Sequence, residues 1–456
     1  MKLAIVVQRY GAELSGGAEL HARYVAEHLA RHAEVEVLTT CARDYITWRN
    51  EFAPGIASIN DVPVRRFPVA RERHPIDFGR RSERVFTERH SLHDELTWLS
   101  SEGPTSPALV TYLQQYERDY DYCIFFSYRY YHAYHGIRAV PRRAVLVPTA
   151  ERDPTLGLAI FGPTFRGVRA VMYNSHEERA LIQTLSGNQA VPGVVVGVGS
   201  DVPRRASARR FRYRTGIQHR FAVYVGRIDE NKGCDELFGY FQRYAATSKL
   251  DLVLAGHPVM PIPNHPRLHH LGFVTDEEKF DAMAAADLLI MPSYYESLSM
   301  VTLEAWAMGL PVLANGGCDV LRGQVVRSNA GLYYTSYEEF AETLRLLERD
   351  RTLRSGLGRN GKAFFRAHYA WPVIERKYLE MLDQLGRAGE TGADRALEPL
   401  PGWLERRRRR LPPAAEVLDG APTGPAVLRE ADTSPSPSRR RLPRRRGAPR
   451  RAQRAT

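Results

Sequence analysis

Short apolar runs alternate with longer stretches of helical spacing over most of the chain. In the first half, residues 3–7, 35–39, 62–69, 122–126, 144–147 and 194–198 read as buried strands. Gly16-Gly17 marks a loop, and residues 18–30 follow with Leu20, Tyr24, Val25 and Leu29 at helical intervals. The second half repeats this alternation. Strands are expected at 221–225, 252–255, 288–291, 311–314 and 331–334, with an extended segment at 271–274. Helices are expected at 235–245, 276–285, 299–308, 337–347 and 372–385. Strands that alternate with helices imply βαβ units and a parallel sheet. The expected fold class is therefore α/β, with two doubly wound, Rossmann-like domains facing a cleft. The boundary is placed near residue 203, in Pro203-Arg204-Arg205. In such folds a ligand belongs at the carboxyl ends of the strands.

A chain of 456 residues with 43% hydrophobic residues can bury two sizeable cores. Four cysteines, Cys41, Cys123, Cys234 and Cys318, lie far apart and have neither zinc-knuckle nor redox-motif spacing, which fits a reducing cytoplasm. The apolar run at residues 3–7 is too short for a signal-peptide core. Nowhere do about 18 apolar residues follow one another, so no spanning helix is expected.

The formal net charge of +12 is unevenly placed. Residues 387–456 hold 17 arginines against 8 acidic residues, which accounts for most of it. Here periodicity gives way to Pro, Ala and Arg, with arginine runs at 406–410 and 444–446. Such a segment buries too little apolar surface to offset its ordering entropy, so it is expected to be a disordered basic tail. It reads either as a solvated tail or as a peripheral contact with anionic membrane at the inner face. No specific nucleic-acid partner is expected.

Candidate chemistry gathers at the expected strand ends of the second half. Gly226-Arg227-Ile228-Asp229-Glu230-Asn231-Lys232-Gly233 places two cations five residues apart across a turn, suited to a diphosphate; a turn with two solvated cations is the alternative. Glu296 and Glu304 stand eight residues apart around a helix start at Ser299, Met300 and Val301. Free N–H groups there would face an anion, and each carboxylate could take neighbouring hydroxyls. Helix-dipole and salt-bridge roles for these carboxylates remain open. Gly256-His257-Pro258 and Gly272-Phe273-Val274 would border a base, or simply form turns. Asn315-Gly316-Gly317-Cys318-Asp319 follows another strand, where a double glycine admits a ligand or makes a tight turn. In the first half, Ser15-Gly16-Gly17-Ala18-Glu19 opens a helix but lacks the dinucleotide-binding spacing.

Taken in order, these motifs resemble the family-4 group of retaining GT-B glycosyltransferases. The resemblance rests on Gly226-Arg227 with Lys232-Gly233, on the E-x7-E pair Glu296/Glu304, and on residues 305–312 reading A-W-A-M-G-L-P-V. Gly272-Phe273-Val274 and the loop at residues 15–19 match as well. The match is clear over about 220–320 and looser over the rest, the tail excepted.

The resemblance implies an N-terminal acceptor-side domain (1–203), a nucleotide-sugar-binding domain (204–370) and a helix crossing back to the first domain (371–386). It further implies that Arg227 and Lys232 hold the donor diphosphate, Glu296 the transferred sugar and Glu304 the ribose. Gly16, Gly17, Gly226, Gly256, Val274, Ser299, Met300 and Val301 would line the donor. No metal or cofactor is implied. The partners would be an NDP-sugar and a glycan or lipid-linked acceptor, in polysaccharide or glycoconjugate synthesis. The leaving phosphate is the expected acceptor of the attacking hydroxyl's proton.

Two departures stand out. Ser297-Leu298-Ser299 follows Glu296 where members often carry Gly-Phe-Gly. The loop Thr149-Ala150-Glu151-Arg152-Asp153 holds no histidine where many members place one, leaving His132 and His135 as substitutes. A catalytically inactive nucleotide-sugar-binding scaffold and a GT-B phosphorylase are the alternative readings.

Overall fold

A computed structural model describes residues 1–388 apart from Ser15 and Arg204. Expectations for those two residues and for 389–456, the basic tail, lie outside the described residues.

Two sheets form the frame. In the first half the strands are β1 (Lys2–Val6), β2 (Glu34–Thr40), β3 (Gly55–Ile59), β4 (Val62–Phe67), β5 (Tyr122–Phe126), β6 (Ala144–Val147), β7 (Ala170–Tyr173) and β8 (Gly193–Val195). They lie in the order β3-β4-β2-β1-β5-β6-β7-β8. All pairs are parallel except β3 with β4. The second half carries β9 (Phe221–Val225), β10 (Asp251–Ala255), β11 (Leu268–His270), β12 (Leu288–Met291), β13 (Val312–Asn315) and β14 (Gly331–Tyr334). Their order, β11-β10-β9-β12-β13-β14, is parallel throughout.

Parallel sheets covered by helices on both faces need apolar strands. Accordingly β1, β5, β6, β9 and β12 are buried almost end to end. The edge strand β3 is mostly exposed, and its pairing with β4 through Asn60 and Asp61, both at positive φ, makes a hairpin that hydrophobic periodicity does not reveal. The segment expected to be extended at 271–274 is irregular, with Gly272 at φ +74° and a bend at Phe273. The strand lies earlier, at β11, because His269 pairs with Val253 of β10. A helix at Arg351–His368 was not anticipated either; it packs against Met300–Met308, and Gly361 leaves room for the Trp306 ring.

The last helix, Trp371–Arg387, buries Trp371, Ile374, Tyr378, Met381, Leu382 and Leu385 on one face. Its end at Arg387 falls one residue inside the segment assigned to the tail. It lies against the first half. The Tyr122 hydroxyl donates to the Leu382 carbonyl at 3.1 Å, and Trp371 stacks on His28 at 3.6 Å between ring centres. One apolar cluster thus runs from Leu3 and Val37 through Tyr378 to Val223 and Trp306. Among the described residues no helix is long and apolar enough to cross a membrane.

Candidate active site

Turns after β9 and β12 bring together residues far apart in sequence. Asp229 organises the first turn. Its carboxylate accepts from the Lys232 backbone N–H at 2.8 Å and from the Arg227 side chain. Lys232 Nζ then reaches Glu296, 2.8 Å from Oε1. Burial opposes the Lys232 charge, but Glu296 and Glu151 outweigh it and raise the ammonium pKa. Arg227 also donates to the Tyr45 hydroxyl of the first half at 3.2 Å. Lys232 thus lies against Glu296 and feels the charge of Arg227, whose own guanidinium is turned toward Asp229 and Tyr45.

The helix Met300–Met308 starts immediately beyond. Ser299 caps it by accepting from the Thr302 N–H at 3.3 Å. The first-turn N–H groups of Met300 and Val301 have no partner inside the helix, as at any helix start. Glu304, one turn on, is 3% exposed. Its Oε1 accepts from Lys279 Nζ at 2.9 Å, while Oε2 is buried with no partner in the structure. Burial raises the Glu304 pKa against the pull of Lys279. That orphaned oxygen is an acceptor suited to a ligand hydroxyl.

The glycines divide into two kinds. Gly256 has φ +153°, and a Cβ there would lie 1.8 Å from the Gly226 carbonyl oxygen. Close backbone packing between the ends of β9 and β10 therefore requires glycine at this position, whether or not a ligand binds. At Gly16 a Cβ would meet Glu19 Oε2 at 2.1 Å, whereas at Gly17 it meets nothing within 4 Å. Of these two, Gly17 is the one that presents open space. Val274 is partly buried beside an exposed Phe273.

Several polar residues at the site had no signal in periodicity. Arg9 and Glu19 form a buried ion pair of 2.6 Å that fixes the glycine loop. Arg9 also lies 5.5 Å from the Tyr45 ring, so the loop connects through Tyr45 to Arg227. Arg152 bridges the halves to Asp319 at 3.1 Å. Glu151 faces Lys232 and Glu296 across the cleft. The signal for these was only their position just after expected strands.

The two histidines offered as substitutes lie on the helix Tyr131–Ala139. His132 is fully buried with Nε2 3.1 Å from the Phe126 carbonyl oxygen, and burial lowers its pKa to about 4. Burial lowers His135 to about 4 as well. A large groove of about 910 Å³ lies elsewhere, between Arg118, Tyr122, Arg143 and Leu382, and contains none of these site residues.

Two doubly wound sheets with a polar cleft and a returning last helix define the GT-B fold, and the solved structures agree. HepE of Anabaena, in complex with UDP-glucose, superposes with a TM-score of 0.62 at 18% identity, over 84% of this chain and 100% of that one. Residues 208–364 match the family described as glycosyl transferases group 1. Among curated relatives, an uncharacterized glycosyltransferase of Methanocaldococcus jannaschii is 24% identical over 39% of this chain and 50% of its own length. A D-inositol 3-phosphate glycosyltransferase of Nocardia farcinica is 26% identical over 84% of this chain and 88% of its own. The chain spans half or less of the length of the first curated relatives it matches.

Proposed function

We propose that the chain transfers a sugar from a nucleotide-diphosphate donor to an acceptor hydroxyl and keeps the anomeric configuration. The Lys232–Glu296 contact of 2.8 Å, with Arg227 anchored beside it, carries this reading. In this reading the two cations and the start of the helix Met300–Met308 receive the charge of a departing diphosphate. Glu296 takes hydroxyls of the transferred sugar, and Glu304 Oε2 takes ribose hydroxyls. In this reading the cationic side chains stabilise the diphosphate charge without a resident metal. The domain family and the nucleotide sugar bound by HepE support the donor class. A glycan or lipid-linked acceptor would enter from the first half, at the carboxyl ends of β5 and β6. Polysaccharide or glycoconjugate synthesis at the inner membrane face is the setting we infer.

Thermal-shift screening against a panel of nucleotide sugars tests the reading, because a ligand that prefers the folded state raises its melting temperature. One donor should stand out, and Arg227→Ala should abolish its shift. A panel that leaves the melting temperature unmoved would remove the proposal.

A further inference from the structure

Glu151 occupies the loop after β6, at the carboxyl end of the first sheet. Its carboxyl is half-buried and makes no hydrogen bond or ion pair with any described residue. Charged groups from both halves surround it. Lys232 and Glu296 face it from the second half, Asp153 from its own loop and Arg129 from the loop after β5. Glu178 lies behind it, and Cys318 opposite, in the loop after β13. Burial is the largest influence and pushes the carboxyl up to about 7; Lys232 opposes that rise and Glu296 adds to it.

The loop is held firmly. Ser127 and Thr149 both adopt positive φ, at 64° and 48°, and their hydroxyls lie 2.7 Å apart. Side chains other than glycine seldom take this conformation, and such strain concentrates at functional sites. The Ala150 N–H donates to buried Glu178 Oε1 at 2.6 Å. The Asp153 N–H donates to the Glu151 carbonyl at 2.8 Å. Arg152, paired with Asp319 at 3.1 Å, ties the loop to the second half. An unpaired carboxyl on so fixed a backbone, facing the Lys232 ammonium assigned to the leaving group, is placed to handle a proton.

We infer that Glu151 is the base of this site: its carboxylate takes the proton of the acceptor hydroxyl while that oxygen bonds to the anomeric carbon. The bond from the anomeric carbon to the phosphate oxygen breaks in the same event, and its electron pair leaves on the diphosphate held by Arg227 and Lys232. The inference rests on the glycosyl-transfer reading and replaces the leaving phosphate as the proton's destination. Lys232 exerts the largest charge effect on Glu151, which puts the carboxyl toward the side from which the diphosphate departs in this reading. A hydroxyl activated there attacks that same face and preserves the anomeric configuration. A base with a pKa near the working pH is suited to such a transfer.

The test uses the full chain and whichever nucleotide sugar most raises its melting temperature, with water as acceptor. Donor hydrolysis is followed from pH 5.5 to 9, and donor affinity by calorimetry. For the wild type, kcat/KM should rise about tenfold per pH unit below about 7 and then level, as for one ionising base. Glu151→Gln should lower kcat by about 100-fold or more and abolish that limb, while the donor Kd stays within about twofold. Glu151→Asp retains a carboxyl and should keep the limb at a reduced rate. A Glu151→Gln enzyme with the wild-type rate and pH limb overturns the inference and leaves the phosphate as proton acceptor. A donor that binds but is not hydrolysed at any pH overturns it as well. A wild type that binds no nucleotide sugar overturns the glycosyl-transfer reading itself.

Discussion

Lys232 Nζ lies 2.8 Å from Glu296 Oε1 although 64 residues separate the two in sequence. The pair joins the turn after β9 to the turn after β12, neighbouring strands at the centre of the second sheet. Under the proposed function, an ammonium half withdrawn from water and tied to one carboxylate is preorganised for an arriving diphosphate. It need only exchange part of that contact for phosphate oxygens.

Arg227 is the other half of this arrangement. Arg227→Ala should lower turnover by about 100-fold or more, if the guanidinium supplies about 3 kcal/mol to the transition state. Steady-state kinetics with a responsive donor check this, and an unchanged kcat removes the role given to Arg227. Melting should change little, since its partners Asp229 and Tyr45 keep other contacts or solvent.

Glu304→Gln is expected to weaken donor binding by about tenfold, the order of one hydrogen bond to a charged group. Calorimetry with the nucleoside diphosphate alone isolates the effect, because the ribose is present and the sugar is not. Equal affinity for both proteins would free Glu304 from the ligand and leave it as the partner of Lys279.

The two kinds of glycine separate in stability. Gly256→Ala sets a Cβ against the Gly226 carbonyl at a φ of +153° and should cost about 3 kcal/mol or more. Gly17→Ala meets open space at a helix start, so stability should hold or rise slightly while donor affinity falls. Denaturant unfolding and calorimetry on both variants check the contrast.

Stability should depend on pH through Glu178, which is buried and pushed up to about 8 despite two backbone N–H donors. Between the ordinary carboxylate range and that value the folded state holds a proton that the unfolded chain has released. Folding stability therefore falls as pH rises through this window, by at most about 1.4 kcal/mol per unit. Buried His21, lowered to about 3, and His132, lowered to about 4, act in the opposite sense, but only below the ordinary histidine value. From pH 6.5 to 8 the melting temperature should decline in the wild type and stay flatter in Glu178→Gln. Matching slopes would exclude Glu178 as the source.

Excess chelator should leave donor turnover unchanged if, as proposed, Arg227, Lys232 and the helix start meet the diphosphate charge. A chelator-sensitive rate restored by a divalent ion would overturn the metal-free reading.

Local pattern made most of the frame legible. Residues 122–126, 144–147, 221–225 and 288–291 are apolar runs that only a doubly covered parallel sheet accommodates, and they became β5, β6, β9 and β12. The cations and carboxylates of the second half could be marked because each directly follows such a run. The β3–β4 hairpin and the helices Pro75–Thr87, Leu92–Glu102 and Pro107–Gln115 went unseen, since exposed or mixed surfaces weaken periodicity.

The chain's own order of apolar and polar residues thus determined most of the strands and the turns that carry charge, because these depend on neighbours a few residues away. Tertiary structure alone decided that Lys232 pairs with Glu296, that Arg227 meets Tyr45, that Glu304 keeps a free oxygen and that Glu151 stands opposite them. Those juxtapositions depend on how two halves close on each other and on how burial shifts charge. Neither effect leaves a periodic trace along the chain.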